Sequence, residues 1–107
     1  ATANRAGPVT VLVTPNRAPI KPTMMDTALQ RQIAAAAERH APGAWVYMPS
    51  AAGHDPMVLS DYLPCAMLFI PSIGGISHDF AEDSHAADIV LGCQVLADAA
   101  AAILQQA

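Results

Sequence analysis

The sequence predicts an α/β domain built around a parallel sheet, and three observations carry that reading. Apolar, partly β-branched runs at residues 9–14, 44–48 and 65–70 alternate with stretches of helical periodicity. The run at 65–70, CAMLFI, shows no polar alternation, as expected of a strand buried on both faces. The least ordinary loops follow the second and third runs, where ligands collect beyond the carboxyl ends of parallel strands.

Residues 1–8 read as a loose start, and 9–14 (VTVLVT) as a strand. Three prolines follow within eight residues: Pro15, Pro19 and Pro22. Each fixes its own φ and pushes its predecessor out of the helical region, so 15–22 reads as an extended crossover between domains. The division is therefore 1–22 and 23–107.

Asp26 is placed to N-cap a helix to about His40, with Leu29, Ile33 and Ala36 or Ala37 as its apolar stripe. Arg39 and His40 fall at the negative end of its dipole, and Pro42-Gly43 stops it. Residues 44–48 (AWVYM) read as a short strand entering the loop PSAAGHDP. Asp55-Pro56 reads as N-cap and first position of a helix to about Leu63. After the 65–70 strand comes a long loop, PSIGGISHDFAEDS. Ser84 is the predicted N-cap of a last helix to about Leu104. Its stripe is Ile89, Cys93, Leu96, Ala100 and Ile103, flanked by Val90, Ala97 and Leu104.

Composition bounds the partners. The chain has 107 residues, 53% of them hydrophobic, but 23 residues are alanine. A chain this short buries only about 60–65% of its unfolded surface, so an alanine-rich core leaves it marginally stable. Net charge is −4, with only 5 Lys and Arg in all. That argues against a nucleic-acid or anionic-membrane partner, because both need clustered cations. No apolar run reaches the roughly 18 residues of a membrane span, and no secretory signal is visible, so a cytoplasmic protein is expected. Cys65 and Cys93 read as buried small hydrophobes.

Two histidines are the candidate site residues. His54 follows Gly53 in the first loop, and His78 follows Gly74-Gly75 in the second. On neighbouring strands they would converge on one rim, although each alone is also an ordinary surface residue. A further run of His78, Asp79, Glu82, Asp83, His85 and Asp88 has metal-ligand chemistry. Asp83, His85 and Asp88 read more simply as solvated charges at a helix start. No phosphate cradle or nucleophile elbow is present.

At PSAAGHD (49–55) and MLFIPSIGGISHDFAED (67–83) the sequence resembles the dinuclear-metal amidohydrolases: the N-carbamoyl-L-amino-acid hydrolases, beta-ureidopropionases and allantoate amidohydrolases, relatives of the zinc aminopeptidases. The likeness is to the carboxyl-terminal quarter or so of such an enzyme. It implies part of a three-layer, parallel-sheet catalytic domain, with 9–14 as the last strand of a lid or dimerisation domain. It implies His78 as a metal ligand, and Gly53 and His54 as substrate contacts, His54 polarising the scissile carbonyl. Glu82 would stand behind the ligand. Two divalent ions, zinc or manganese, and a small carbamoyl or ureido acid substrate belong to that picture, as does a homodimer or association with the missing amino-terminal part.

The family's His-x-Asp motif, its Glu-Glu pair and the lid residues that clamp the substrate have no counterpart here. Ala51 stands in place of a usual Gly, Pro56 in place of Ala, and Asp79-Phe80 in place of Asn-Pro. The resemblance therefore implies an enzyme fragment that is inactive alone and binds no metal tightly. The alternative is a non-catalytic, self-associating or partner-binding module.

Overall fold

The structure, a computed structural model, describes residues 21–106. The strand expected at 9–14 and most of the proline-rich crossover lie outside the described residues. Three α-helices and one 3₁₀ turn follow in order: α1 (Thr27–His40), α2 (Asp55–Leu59), the turn Ile73–Gly75 and α3 (Ala86–Gln106).

Helix α1 forms where its sequence places it. The Asp26 carboxylate accepts hydrogen bonds from the Ala28 and Leu29 amides, both at 2.9 Å. That cap satisfies two of the four orphan N–H groups at the helix start. Ala36 and Ala37 are buried, and Ile33 packs beside them. The helix ends at Ala41, and Gly43 turns the chain with φ +68°. Glu38 then anchors the outgoing segment: its carboxylate accepts from the Trp45 indole at 2.6 Å and from the Gly43 amide at 3.3 Å.

Helix α3 lies against α1, and Val95 and Ala99 meet Ala36 and Ala37. The small side chains let the helices approach closely. Arg39 and Asp98 pair at 2.8 Å across the same interface, and His40 reaches the same carboxylate oxygen at 3.2 Å.

Three sequence expectations need correction. Ser84 does not cap α3. Its hydroxyl donates to the Pro71 carbonyl at 2.8 Å, and the first helical turn starts instead on the His85 carbonyl. Helix α2 stops at Leu59, with His54 rather than Asp55 at its N-cap. The chain continues in turns through Leu63.

The third correction concerns the face of α3. The side turned to α1 carries Leu91, Val95 and Ala99, whereas Ile89, Val90, Leu96 and Leu104 of the expected stripe are exposed, as is Cys93; Cys65 is buried as expected. α3 is apolar on two faces, so periodicity alone selects neither. Its stretch Ala86–Gln105 is long and apolar enough, by length and composition, to cross a membrane. An uninterrupted-run criterion misses it because Asp88 and Asp98 interrupt it. Those two carboxylates, and the packing on α1, fit a core helix whose second face is bare in this chain.

The expected parallel sheet is not shown: among the described residues there is no strand. Residues 44–48 and 65–70 carry no regular secondary structure, and no backbone hydrogen bond joins them. A strand is defined by its ladder, and these two segments do not supply each other's partners. They rest on the helical layer instead: Trp45 and Leu68 pack against the core of α1 and α3. Ile70 comes so close to Gly92 that a β-carbon there would meet its Cγ2 at 2.5 Å.

Candidate functional site

The two candidate histidines sit in loops that leave the segments 44–48 and 65–70, and each is held differently. His54 ends the loop 49–54 and is half-buried. Its Nε2 lies 2.7 Å from the Ser50 hydroxyl, and its ring lies against Phe69, centroid to centroid 5.4 Å. The loop after the first segment therefore reaches the second. Nδ1 of His54 has no hydrogen bond among the described residues. Ser50 and Phe69 were not singled out in the sequence. The readable signal for Ser50 is a hydroxyl four residues before the histidine within one loop. Phe69 carried none, because it lies inside an apolar run.

His78 is the more constrained of the two. Its φ is +58°, and among the described residues every other positive φ belongs to glycine. A side chain in this left-handed region costs about 1 kcal/mol or more and persists only where its surroundings enforce it. The enforcing contact is Glu82, whose carboxylate accepts the His78 backbone N–H at 2.7 Å. Asp79 closes the turn: its carboxylate accepts from the Ala81 amide at 2.8 Å, and its carbonyl accepts from the Glu82 amide at 3.0 Å.

The loop around this turn is tied at its neck. The Ile73 amide donates to the Asp83 carbonyl at 2.8 Å, beside the Ser84–Pro71 bond. Gly74 and Gly75 take φ of +66° and +70°, the turn for which glycine was expected. Gly53 does not have positive φ, and a β-carbon there would meet nothing within 4 Å.

No hydrogen bond or ring contact joins His54 to His78 among the described residues. The described residues also hold no group of three or more His, Cys, Asp or Glu that could bind a metal ion. The run His78, Asp79, Glu82 and His85 is therefore not a self-contained metal site. Glu82 and Asp79 spend their carboxylates on backbone amides, as loop clamps. A catalytic zinc takes about three protein ligands. Of that run, the His78 and His85 imidazoles make no side-chain hydrogen bond among the described residues. The residues present thus do not fit a complete metal centre, and they offer only part of the ligand set of a shared one.

One titratable group outside these loops departs from its ordinary behaviour. The Arg39 guanidinium bound to Asp98 holds its carboxyl below the usual 3.8, with a smaller contribution from His40.

No family model matches the chain. It is 46% identical over 50 residues to an allantoate amidohydrolase of Escherichia coli K12, and 41% identical over 51 residues to one of Bacillus subtilis 168. These matches cover 47% and 48% of the chain but only 12% of either relative. The structure superposes on an amidase of the hydantoinase/carbamoylase family from Burkholderia phymatum with a TM-score of 0.65 at 48% identity. That match covers 74% of the chain and 18% of the amidase.

The class these relatives define is that of the amidohydrolases. Within it, the chain is similar to a carboxyl-terminal segment of the allantoate amidohydrolases and carbamoylase-type amidases. It spans about an eighth of the curated relatives' length.

Proposed function

We propose that this chain supplies one wall of the active site of a metal-dependent amidohydrolase that cleaves the carbamoyl or ureido C–N bond of a small acid. His78 is offered to a metal by the turn that Glu82 clamps. His54, steered by Ser50, contacts the substrate together with the Gly53 backbone and polarises the carbonyl that is attacked. An imidazole aimed at a carbonyl oxygen stabilises the charge that develops there. The other metal ligands, the general base and the residues that grip the substrate's carboxylate come from the remainder of a family-length chain. Alone, the 107 residues do not turn over substrate.

One observation carries this reading. The residue that the family likeness makes a ligand is also the only non-glycine residue held in a left-handed conformation among those described. Strain of that kind clusters at functional sites.

The test is a chimera in which this segment replaces its counterpart in the Burkholderia phymatum amidase, assayed with N-carbamoyl amino acids and allantoate in zinc or manganese. The expected result is turnover by the chimera and only background from the isolated chain. His78→Ala in the chimera should lose activity by about a hundredfold or more, as metal-site lesions do. A chimera whose turnover is indifferent to both His78→Ala and His54→Ala sinks the proposal. So does an isolated chain that hydrolyses substrate in a His78-dependent way.

A further inference from the structure

We infer that Ser50 is a positioning residue that keeps the single proton of the neutral His54 ring on Nδ1, so that His54 meets the substrate carbonyl through an Nδ1–H donor. This rests on the functional reading above and adds which ring nitrogen acts and what decides it.

Three contacts fix the His54 imidazole. Its residue is the N-cap of α2, with φ −135° and ψ 147°, and its carbonyl accepts the Met57 N–H at 3.0 Å. The Asp55-Pro56 start of the helix thus sets where the side chain leaves the backbone. Phe69 lies against the ring, centroids 5.4 Å apart and planes at 57°. The Ser50 hydroxyl stands 2.7 Å from Nε2. Nε2 is therefore committed to the loop. Nδ1, which makes no hydrogen bond among the described residues, is the nitrogen that can meet a ligand.

A neutral imidazole carries one N–H, and the partners of its nitrogens decide which one bears it. A serine hydroxyl can donate or accept, and the second contact of Ser50 settles its direction. Its Oγ accepts the Ala52 amide N–H at 3.4 Å. With the serine proton turned to Nε2, the groups form a head-to-tail chain, Ala52 N–H to Oγ and O–H to Nε2. Each donor then has an acceptor, and each bond polarises the next. With the imidazole proton on Nε2, two N–H groups would crowd one oxygen, and the serine proton would be left to solvent. The chain therefore favours a lone pair on Nε2 and the proton on Nδ1.

That choice decides the chemistry. An Nδ1–H aimed at a carbonyl oxygen stabilises the negative charge that develops on attack, whereas an Nδ1 lone pair repels it. In water an unconstrained neutral histidine favours the proton on Nε2. Ser50 thus selects the less common form, which is the one able to donate at Nδ1.

The test reads the ring nitrogens by NMR in the isotope-labelled chain at alkaline pH, where imidazoles are neutral. His54→Gln identifies which of the 4 histidine signals is the relevant one. The expected result is a protonated Nδ1 and a bare Nε2 at His54. Ser50→Ala should move the proton to Nε2, and Ser50→Thr, which keeps the hydroxyl, should leave it on Nδ1. Ser50 is exposed, so helix content by circular dichroism should be the same in all three. In the chimera, Ser50→Ala should lower kcat about tenfold or more with KM little changed. Ser50→Thr should recover most of that loss, and Ser50→Ala should cost nothing further in a His54→Ala background.

A His54 proton on Nε2 in the unsubstituted chain overturns the proposal, as does a proton that stays on Nδ1 without the hydroxyl. A kcat loss that Ser50→Ala inflicts equally without His54 also overturns it, because Ser50 then acts through something other than the ring. The ring measurement uses neither metal, substrate nor turnover. Its failure is therefore distinct from a chimera that hydrolyses nothing, which sinks the functional reading instead.

Discussion

The two halves of this molecule obey the same physics with opposite outcomes. In the helical half, α1 and α3 satisfy themselves. Asp26 caps, Ala36 and Ala37 meet Val95 and Ala99, and Arg39 holds Asp98. In the other half, 44–48 and 65–70 form no strand ladder among the described residues. A helix closes its hydrogen bonds within its own turn, whereas a strand borrows them from elsewhere. The halves touch where Trp45 and Leu68 meet the helical core and where Ile70 meets Gly92, and Gly92 is the tightest place to break them apart.

Gly92→Val should give the largest effect. The new side chain would start inside Ile70, whose branched Cβ leaves it few ways to move. A destabilisation of about 1–3 kcal/mol is expected, read from the shift of the denaturant midpoint. The double variant Gly92→Val with Ile70→Ala should recover most of it. Equal loss with and without Ile70 would mean that the other half does not rest on α3 in solution.

The comparison sharpens at His78, where functional and structural demands separate. His78→Gly and His78→Ala both remove the imidazole, but only glycine accepts φ of +58° without strain. The glycine variant should therefore be the more stable by about 1 kcal/mol, while both lose activity in the chimera. If alanine proves equally stable, the turn is not clamped as the Glu82 contact implies.

What could be read beforehand divides along the same line. Asp26, Pro42 and Gly43 marked α1 correctly, because caps and stops are local chemistry. The loops carrying His54 and His78 were also legible, as was the turn at Gly74-Gly75. The α3 face was not, since Leu91 and Leu96 look alike until something decides which one meets α1. The roles of Ser50, Phe69 and Glu82 were hidden or only borrowed from resemblance. Their partners lie across a turn or in another segment, and no spacing rule announces them. Asp79 and Glu82 looked like ligands because carboxylates suit metals, but in the structure backbone amides claim them first.

The Arg39–Asp98 pair is expected to have the smallest effect. It spans α1 and α3 on an exposed surface, where solvent and salt weaken such pairs. The Asp98 carboxyl is held below its ordinary 3.8, so its ionised form favours the folded state. Its contribution is complete above that ordinary value and is lost as the pH falls through the lower folded one. Asp98→Asn should therefore lower the melting temperature slightly at pH 7 in low salt. The variant and the parent should converge in 1 M salt, and again in acid, once the pH has fallen through the parent's lowered folded value. A gap that persists in acid would show that Asp98 acts through packing or neutral hydrogen bonds, and that charge plays no part in holding the self-sufficient half together.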